Sequence, residues 1–201
     1  LNLIGKGENT VLKAVSNGFR PGSEIIYNIY NLIIDSSYRF FIYQNESTNF
    51  TFNFYNCAIY GGSDDLFYDM AHWEINLHNC YFKCNKNAFR NGASDNTDLN
   101  LYNSIYEDTT TYSNVNVNNI ETSIYNTSIN YGSHQSSLDT VPSELRHSGT
   151  GTNPDNSTAN IGVCGGDYAW GWKNVLFNLN TKLNKTLLPL GTYDLETPVQ
   201  E

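Results

Sequence analysis

A five-residue pattern, apolar-Asn-apolar-any-Asn, recurs along the first 120 residues of the chain. Its positions alternate, so the first and third residues face one way and the second and fourth the other. The unit is short, rich in aromatic and β-branched residues and followed by turn-forming residues, which predicts a strand and not a helix. The five copies are Tyr27-Asn28-Ile29-Tyr30-Asn31, Phe52-Asn53-Phe54-Tyr55-Asn56, Ile75-Asn76-Leu77-His78-Asn79, Leu99-Asn100-Leu101-Tyr102-Asn103 and Val115-Asn116-Val117-Asn118-Asn119.

The copies recur at a nearly regular spacing. Their second residues are 25, 23, 24 and 16 positions apart, and a partial copy, Leu1-Asn2-Leu3, lies 26 positions before the first. A repeat of this length around a short strand predicts a stack of coils, none of which can bury its own apolar face. We therefore predict an all-β protein, a parallel β-helix of about five to six coils.

The inward residues of successive coils should stack in columns along the axis. Phe41, Leu66 and Phe89 each lie ten positions after an Asn that ends a copy, which predicts a further aligned strand in these coils. Alignment of the five copies gives two inward columns, Tyr27/Phe52/Ile75/Leu99/Val115 and Ile29/Phe54/Leu77/Leu101/Val117.

Two segments resemble coils of the right-handed parallel β-helix, or pectate-lyase-like, superfamily: Phe54-Tyr55-Asn56-Cys57-Ala58-Ile59-Tyr60 and Leu77-His78-Asn79-Cys80-Tyr81-Phe82-Lys83. Coils of that family often place Asn in a sharp turn, followed by a small residue or Cys and then a large apolar one. The resemblance implies an internal ladder of hydrogen-bonded amides at the turn positions Asn31, Asn56, Asn79, Asn103 and Asn119. It implies little about chemistry, because the superfamily includes lyases, hydrolases, phage tailspikes, adhesins and surface proteins.

The repeat fades after residue 130, which predicts coils over residues 1–130 and a loop, capping segment and C-terminal tail over 131–201. Residues 153–166 are similar to a closing segment of microbial cell-surface β-helix proteins, although Val163-Cys164 replaces Ala-Tyr and Asn156 stands where Gly is frequent. The resemblance implies a cap in which Ile161 plugs the last coil. Gly162, Gly165 and Gly166 are expected to adopt backbone conformations that other residues resist. Trp170 and Trp172 are expected to plug the coil and not to stack on a ligand.

The charge of the chain and the length of its apolar runs limit the kinds of partner that it can bind. The net charge is -9, the pI is about 4.8 and only 11 residues are Lys or Arg, which argues against nucleic acid or an anionic membrane as partner. No apolar run approaches the roughly 20 residues of a membrane span. Because Leu1 falls inside a partial copy of the repeat, we expect a leader or earlier coils to precede it.

The cysteines leave two alternatives open. Cys57 and Cys80 occupy equivalent positions in adjacent coils, so they could form a disulfide or stack as buried thiols, and the second is favoured because free Cys is usually buried. Cys84 and Cys164 have no evident partner, and the spacing of Cys80 and Cys84 alone does not predict zinc. Five sequons would suit a glycosylated extracellular protein, although an Asn-rich chain also produces them by chance: Asn45, Asn49, Asn126, Asn156 and Asn184.

One acidic cluster offers catalytic or Ca²⁺-binding candidates. Asp64 and Asp65, with Asp69 and His72 nearby, follow two glycines in the connection between coils. Paired carboxylates could act as acid and base in a glycosidase or share a Ca²⁺ ion. Adjacent strand residues point to opposite faces, however, and surface carboxylates are usually solvated, so we expect neither catalysis nor a bound cofactor here.

The outward residues form two predicted columns, which contain Asn and mostly aromatic residues. Such ladders stabilise stacked strands without a ligand, and a flat polar-aromatic stripe could also bind glycans or a neighbouring protein. The columns are Asn28, Asn53, Asn76, Asn100 and Asn116, and Tyr30, Tyr55, His78, Tyr102 and Asn118.

The sequence thus predicts an extracellular or cell-surface, non-catalytic β-helix module with a structural or adhesive role. The alternative is a polysaccharide-active enzyme or a virion tailspike fragment that acts through Asp64, Asp65 and His72. The apolar tail at residues 185–193 either folds back as a brace or joins a neighbouring subunit by strand addition, which would build a homo-oligomer or surface assembly.

Overall fold

The computed structural model describes residues 1–14, 26–36, 41–42, 49–61, 66–68, 73–84, 89–90, 97–108, 115–125 and 143–170. A single 3-10 turn, Gly7–Asn9, accompanies the strands in this part of the chain. The strands are β1 (Asn2–Ile4), β2 (Val11–Ala14), β3 (Ile26–Tyr30), β4 (Ile33–Ser36), β5 (Phe41–Ile42), β6 (Thr51–Tyr55), β7 (Ala58–Gly61), β8 (Phe67–Tyr68), β9 (Glu74–His78), β10 (Tyr81–Cys84), β11 (Phe89–Arg90), β12 (Thr97–Tyr102), β13 (Ile105–Asp108), β14 (Val115–Asn119) and β15 (Ile124–Tyr125).

Strands one repeat apart pair with each other and form three sheets. Sheet A has the order β1-β3-β6-β9-β12-β14, sheet B has β2-β4-β7-β10-β13-β15, and sheet C has β5-β8-β11. All of these pairings are parallel. The described part of the chain is therefore all-β with parallel strands, which is consistent with a β-helix-like fold.

The core contains the inward columns of the first four complete copies. The first and third residues of these copies are at most 4% exposed. Leu32, which precedes β4, and the sheet-B side chains Ile34, Ile59 and Phe82 belong to the same apolar cluster. Alternation along sheet A is therefore as predicted: the apolar residues face the core and the intervening residues face outward.

The fifth copy is displaced by two residues from its predicted alignment. Val117, and not Val115, pairs with Leu99, while Asn118 pairs with Asn100. Val115 lies opposite Thr97 instead. The repeat that precedes this copy is the short one, so an alignment based on the pentapeptide alone does not give the register of the backbone.

The predicted alignment of the strands in sheet C is wrong by one residue in one repeat. Phe67, and not Leu66, pairs with both Phe41 and Phe89. Sheet-B residues Ser36, Gly61 and Cys84 are in register. The chain then reaches sheet C five positions after Ser36 and Cys84 but six positions after Gly61, so the middle connection is one residue longer.

The turn from sheet A to sheet B depends on one left-handed residue in each repeat. Asn31, Asn56, Asn79 and Asn103 have φ between 48° and 51°, a conformation that Asn adopts more readily than most residues. The predicted turn role is confirmed for these four residues. It is wrong for Asn119, which ends β14 and lies opposite Leu101.

The residue after each turn Asn is buried, and several of these residues also satisfy backbone groups. The backbone N–H groups of Cys57, Cys80 and Ser104 donate to Cys80 Sγ (3.4 Å), Ser104 Oγ (3.0 Å) and Ser123 Oγ (2.9 Å), respectively. In the other direction, Ser104 Oγ donates to the carbonyl of Leu77 at 2.8 Å. A small side chain with a hydrogen-bonding atom thus fits this position in three of the four repeats, which explains Cys57, Cys80 and Ser104, whereas Leu32 follows Asn31.

Candidate functional site

The outward face of sheet A carries a continuous ladder of asparagine amides. Each Nδ2 donates to the Oδ1 of the preceding repeat, at 2.8, 2.8, 2.9, 2.9 and 3.0 Å. The members are Asn2, Asn28, Asn53, Asn76, Asn100 and Asn118, which we call the strand ladder. Asn116 is not a member, contrary to the predicted column, because it bonds to Asp98 Oδ1 at 3.0 Å.

A stack of four rings runs beside the strand ladder. Tyr30, Tyr55, His78 and Tyr102 follow one another with centroid separations of 4.6, 4.6 and 4.3 Å and nearly parallel planes. Tyr168, from the segment after residue 143, meets Tyr30 and Tyr55 at interplanar angles of 78° and 77°. Since the two tyrosines already stack face to face, Tyr168 lies across the edge of the stack.

The predicted binding stripe is therefore only partly accessible. Tyr30 and Asn76 are 5% and 7% exposed, whereas Asn28, Asn53, Tyr55, His78, Asn100 and Tyr102 are half-buried. The structure brings these eight residues together as two adjacent columns. Whether they bind a glycan or a partner stays a prediction.

The side chains of Asn56, Asn79 and Asn103 bond to residues 150–165 and not to one another, and Asn103 Nδ2 also donates to Glu121 Oε2 at 3.3 Å. Asn56 Nδ2 donates to the carbonyls of Val163 (2.9 Å) and Gly165 (2.7 Å), and Asn79 Nδ2 donates to that of Asn160 (3.1 Å). Asn103 Nδ2 donates to the carbonyl of Thr150 at 2.7 Å. The prediction of an internal ladder at these turns is wrong, because the residue that follows each Asn fills the interior and the amide faces away from it.

Residues 143–170, which we call the closing segment, lie along the side of the stacked strands. Their bonds reach three successive turns, and Leu145, Ile161, Val163, Cys164 and Trp170 share an apolar cluster with the first residues of four successive sheet-B strands. Trp170 packs near Gly7. The prediction that Ile161 and Trp170 plug the last coil is therefore wrong, and Trp172 lies outside the described residues.

The closing segment keeps its shape through its own asparagines and glycines. Asn160 Nδ2 donates to the Cys164 carbonyl at 2.9 Å, and the Asn160 backbone N–H donates to Asn153 Oδ1 at 3.1 Å. Gly162 and Gly166 have φ of 88° and 70°, and a side chain at Gly165 would overlap the Asn160 carbonyl. The predicted backbone freedom is confirmed at Gly162 and Gly166, whereas glycine at 165 is required by the close approach of the Asn160 carbonyl.

A cavity of about 390 Å³ lies between the turns and the closing segment. Its walls include the turn residues Asn79 and Asn103, the rings of Tyr55, His78 and Tyr168, and the carboxylates of Glu121 and Asp167. The sequence predicted none of Glu121, Asp167 and Tyr168, because they come from segments without a repeat. The only sequence signal near them is the pair of glycines, Gly165 and Gly166, that precedes Asp167.

His78 is the titratable member of the ring stack. Desolvation by burial lowers the pKa of its imidazole to about 4, so the ring is neutral near pH 7. Within the described residues its contacts are ring stacking on Tyr55 and Tyr102, with no hydrogen bond to its nitrogens. A neutral imidazole offers one donor and one acceptor, and His78 lines the cavity.

The candidate catalytic and Ca²⁺-binding residues lie outside the described residues, so these roles stay untested. They are Asp64, Asp65, Asp69 and His72. Within the residues that the structure does describe, no group of three or more His, Cys, Asp or Glu side chains is arranged to hold a metal ion.

The four cysteines are free and buried, which for Cys57 and Cys80 is the favoured alternative. Burial raises the pKa of the Cys80 thiol well above its usual value. Of the sequons, Asn49 and Asn156 are exposed, while Asn45, Asn126 and Asn184 lie outside the described residues.

No family model, no curated protein and no solved structure matches this chain. In the described part, no helix has the length and apolar character needed to cross a membrane.

Proposed function

We propose that this chain is a right-handed parallel β-helix of about five to six coils, closed along one side by residues 143–170, that serves as a non-catalytic structural or adhesive module outside the cell. The observation that carries the proposal is the strand ladder. Its five amide-to-amide bonds, of 2.8 to 3.0 Å, connect six repeats. Outward polar groups on this face therefore hold repeats together.

The ring stack supports the same role. Aromatic pairs are worth about 0.5 to 1.5 kcal/mol each beyond the area that they bury, and the stack couples four consecutive repeats. An acidic stack of repeats with an internally bonded face suits a surface protein that must keep its shape without a partner. The two exposed sequons, at Asn49 and Asn156, are compatible with glycosylation in that setting.

Assembly of subunits belongs to the same proposal. Val117 and Ile120 are 43% and 53% exposed. Val117 lies in β14, the last strand of sheet A in the described part of the chain, and Ile120 follows that strand directly. An edge strand with exposed apolar side chains favours pairing with another chain. Light scattering should therefore show an oligomer that becomes smaller when Val117 and Ile120 are both replaced by Lys. A monomer for the unchanged chain would remove assembly from the proposal.

Catalysis is tested by incubating the chain with panels of acidic and neutral polysaccharides. We expect no release of reducing ends and no unsaturated uronates. Turnover that is abolished by Asp64→Ala or Asp65→Ala, and preserved in the exposed control Glu144→Ala, would replace our proposal with the polysaccharide-active enzyme or tailspike alternative.

A further inference from the structure

The outward face of sheet B carries one column of residues in which the charges alternate. The registers of β2, β4, β7, β10 and β13 place five outward side chains next to one another. Neighbours in such a column lie about 4.8 Å apart, so the column is roughly 19 Å long. Its members, in order along the stack, are Lys13, Asp35, Tyr60, Lys83 and Glu107, which we call the charged column.

The charged column is more accessible than the outward column beside it. The neighbouring column shares an apolar cluster with the closing segment, and its buried members are Ile33, Ala58, Tyr81 and Ile105. In the charged column, by contrast, the side chains of Lys13, Asp35 and Lys83 are 68%, 51% and 42% exposed. Tyr60, at the centre of the column, is partly exposed. A partner that approaches sheet B would therefore meet the charged column.

Ion pairs within the chain explain only part of this alternation. Lys13 Nζ lies 3.7 Å from Asp35 Oδ2, and Lys83 Nζ lies 3.1 Å from Glu107 Oε2. Opposite charges on neighbouring strands stabilise a sheet, although exposed pairs contribute little. Among the described residues, Lys13 at one end of the column makes this single long contact, and Glu107 Oε1 at the other end has no hydrogen-bond partner. The column thus keeps unused binding capacity at both of its ends.

The order of the charges makes the column complementary to a second copy of itself. Along the stack it is positive, negative, neutral, positive and negative, since burial, followed by the charges of Asp35 and Glu107, raises the pKa of the Tyr60 phenol to about 12. Turned end over end, the same column is negative, positive, neutral, negative and positive. Two copies with antiparallel axes therefore place Lys13 opposite Glu107 of the partner subunit and Lys83 opposite Asp35 of the partner subunit. Parallel axes would place each charge opposite its own copy, which is repulsive.

An outward column of sheet A lacks this complementarity. Its in-register members are Ile26, Thr51, Glu74, Asp98 and Asn116. Two members are acidic and none is basic, so Glu74 at the centre would face a second Glu74 in either orientation. The net charge of the chain is -9, so most of its surface should repel a second copy. The charged column differs because its own charges sum to zero.

We propose that two copies of this chain associate through the charged column, face to face and with antiparallel axes, in a two-fold symmetric dimer centred on Tyr60. The inference deepens the assembly part of the function proposed above. It names a second copy as the partner and sheet B as the interface, separate from the edge at β14. The ring of Tyr60 and the aliphatic parts of Lys13 and Lys83 supply apolar contact, and the charges determine the orientation.

Sedimentation equilibrium can measure this association on the full chain carrying Val117→Lys and Ile120→Lys, which removes pairing at β14. We expect a dimer whose Kd rises about tenfold or more in Lys13→Glu, because symmetry places the reversed charge in the interface twice. Added salt should also raise the Kd. Lys6→Glu makes the same charge change at an exposed residue outside the charged column and should leave the Kd unchanged.

Two further variants test the geometry. Exchange of all four charges, by Lys13→Glu, Asp35→Lys, Lys83→Glu and Glu107→Lys, keeps the ion pairs within the chain. The exchanged chain should dimerise as strongly as the original but should not form mixed dimers with it, because antiparallel axes would then bring like charges together. Tyr60→Cys should cross-link to its own copy on oxidation, whereas Glu144→Cys should not; the four native cysteines are buried.

Three results would overturn the interface. They are a monomer at millimolar concentration when β14 is blocked, a Kd unchanged by Lys13→Glu when the unfolding midpoint is also unchanged, and free formation of mixed dimers by the exchanged chain. The first result, with an oligomer for the unchanged chain, leaves assembly through β14 and removes only this inference. A dimer that forms with β14 blocked and is as large as the oligomer of the unchanged chain removes pairing at β14 and leaves the charged column as the interface.

Discussion

Two columns of asparagine run along this molecule, and they differ in what they bind. The strand ladder bonds to copies of itself, so each amide links one repeat to the next. The turn asparagines have left-handed backbones, and three of the four, Asn56, Asn79 and Asn103, bond to the closing segment, so these three link distant parts of the chain. The same residue type, repeated at the same spacing, therefore stabilises the stack of strands in one column. In the other column it binds the closing segment to that stack.

The largest expected effect on stability is at Asn56, which combines a left-handed backbone with side-chain bonds to the closing segment. Asn56→Ala removes the side-chain donor to the Gly165 carbonyl and one of the two donors to the Val163 carbonyl, which keeps the backbone N–H of Trp170, at a cost of about 1 to 3 kcal/mol. It also places a Cβ without a compensating side chain at φ 50°, which costs about 1 kcal/mol more. We expect a total loss of about 2 to 4 kcal/mol in the free energy of unfolding, measured by denaturant titration.

Asn56→Gly separates the two contributions, because Gly accepts positive φ without strain. Asn56→Gly should lose the stability that the hydrogen bonds contribute, without the added cost of backbone strain. Cleavage by protease within the closing segment should increase in both Asn56→Ala and Asn56→Gly. Asn53→Ala in the strand ladder is the matched control. Equal destabilisation by Asn53→Ala and Asn56→Ala would show that the two columns do not differ in the way described.

His78 should make the free energy of unfolding depend on pH. Its pKa is about 4 in the folded chain and about 6.5 when unfolded, so between these values the unfolded state binds more protons and stability falls as the pH is lowered from 7 to 4. Each pKa unit corresponds to about 1.4 kcal/mol. With a discount for partial exposure, the loss is about 2 kcal/mol and levels off below pH 4.

His78→Tyr, which continues the tyrosines of the ring stack, should remove this part of the pH dependence. Tyr102→Phe keeps a ring at the next position, introduces no group that titrates in this range, and should keep the dependence. Glu121 and Asp167 line the same cavity as His78, and desolvation by burial is the cause of its lowered pKa. A His78→Tyr profile that is parallel to that of the unchanged chain between pH 4 and 7 would contradict the role of His78.

Sequence reasoning succeeded where the repeat determines the structure. Alternation in the copies placed Phe52, Phe54 and Leu77 in the core, and the positive φ preference of Asn gave the four turns. It failed where a connection changes length, since neither the extra residue before Phe67 nor the short repeat before β14 alters the local pattern. The closing segment was recognised, but contacts over more than 40 positions, such as Asn103 with Thr150, have no signature in either segment.

The smallest effect, and the sharpest test of the comparison, is the coupling within the strand ladder. Asn53→Ala and Asn76→Ala should each cost about 1 kcal/mol, because each breaks two bonds of the strand ladder, in which Asn53 is half-buried and Asn76 is buried. The double variant removes both partners of the 2.9 Å bond between them, so its loss should fall short of the sum by about 0.5 to 1 kcal/mol. Asn53→Ala combined with Asn56→Ala should instead be additive to within about 0.5 kcal/mol, because the two amides share no partner. Strong coupling across the columns, with none along the strand ladder, would mean that the outward amides stabilise the fold through the closing segment and not through one another.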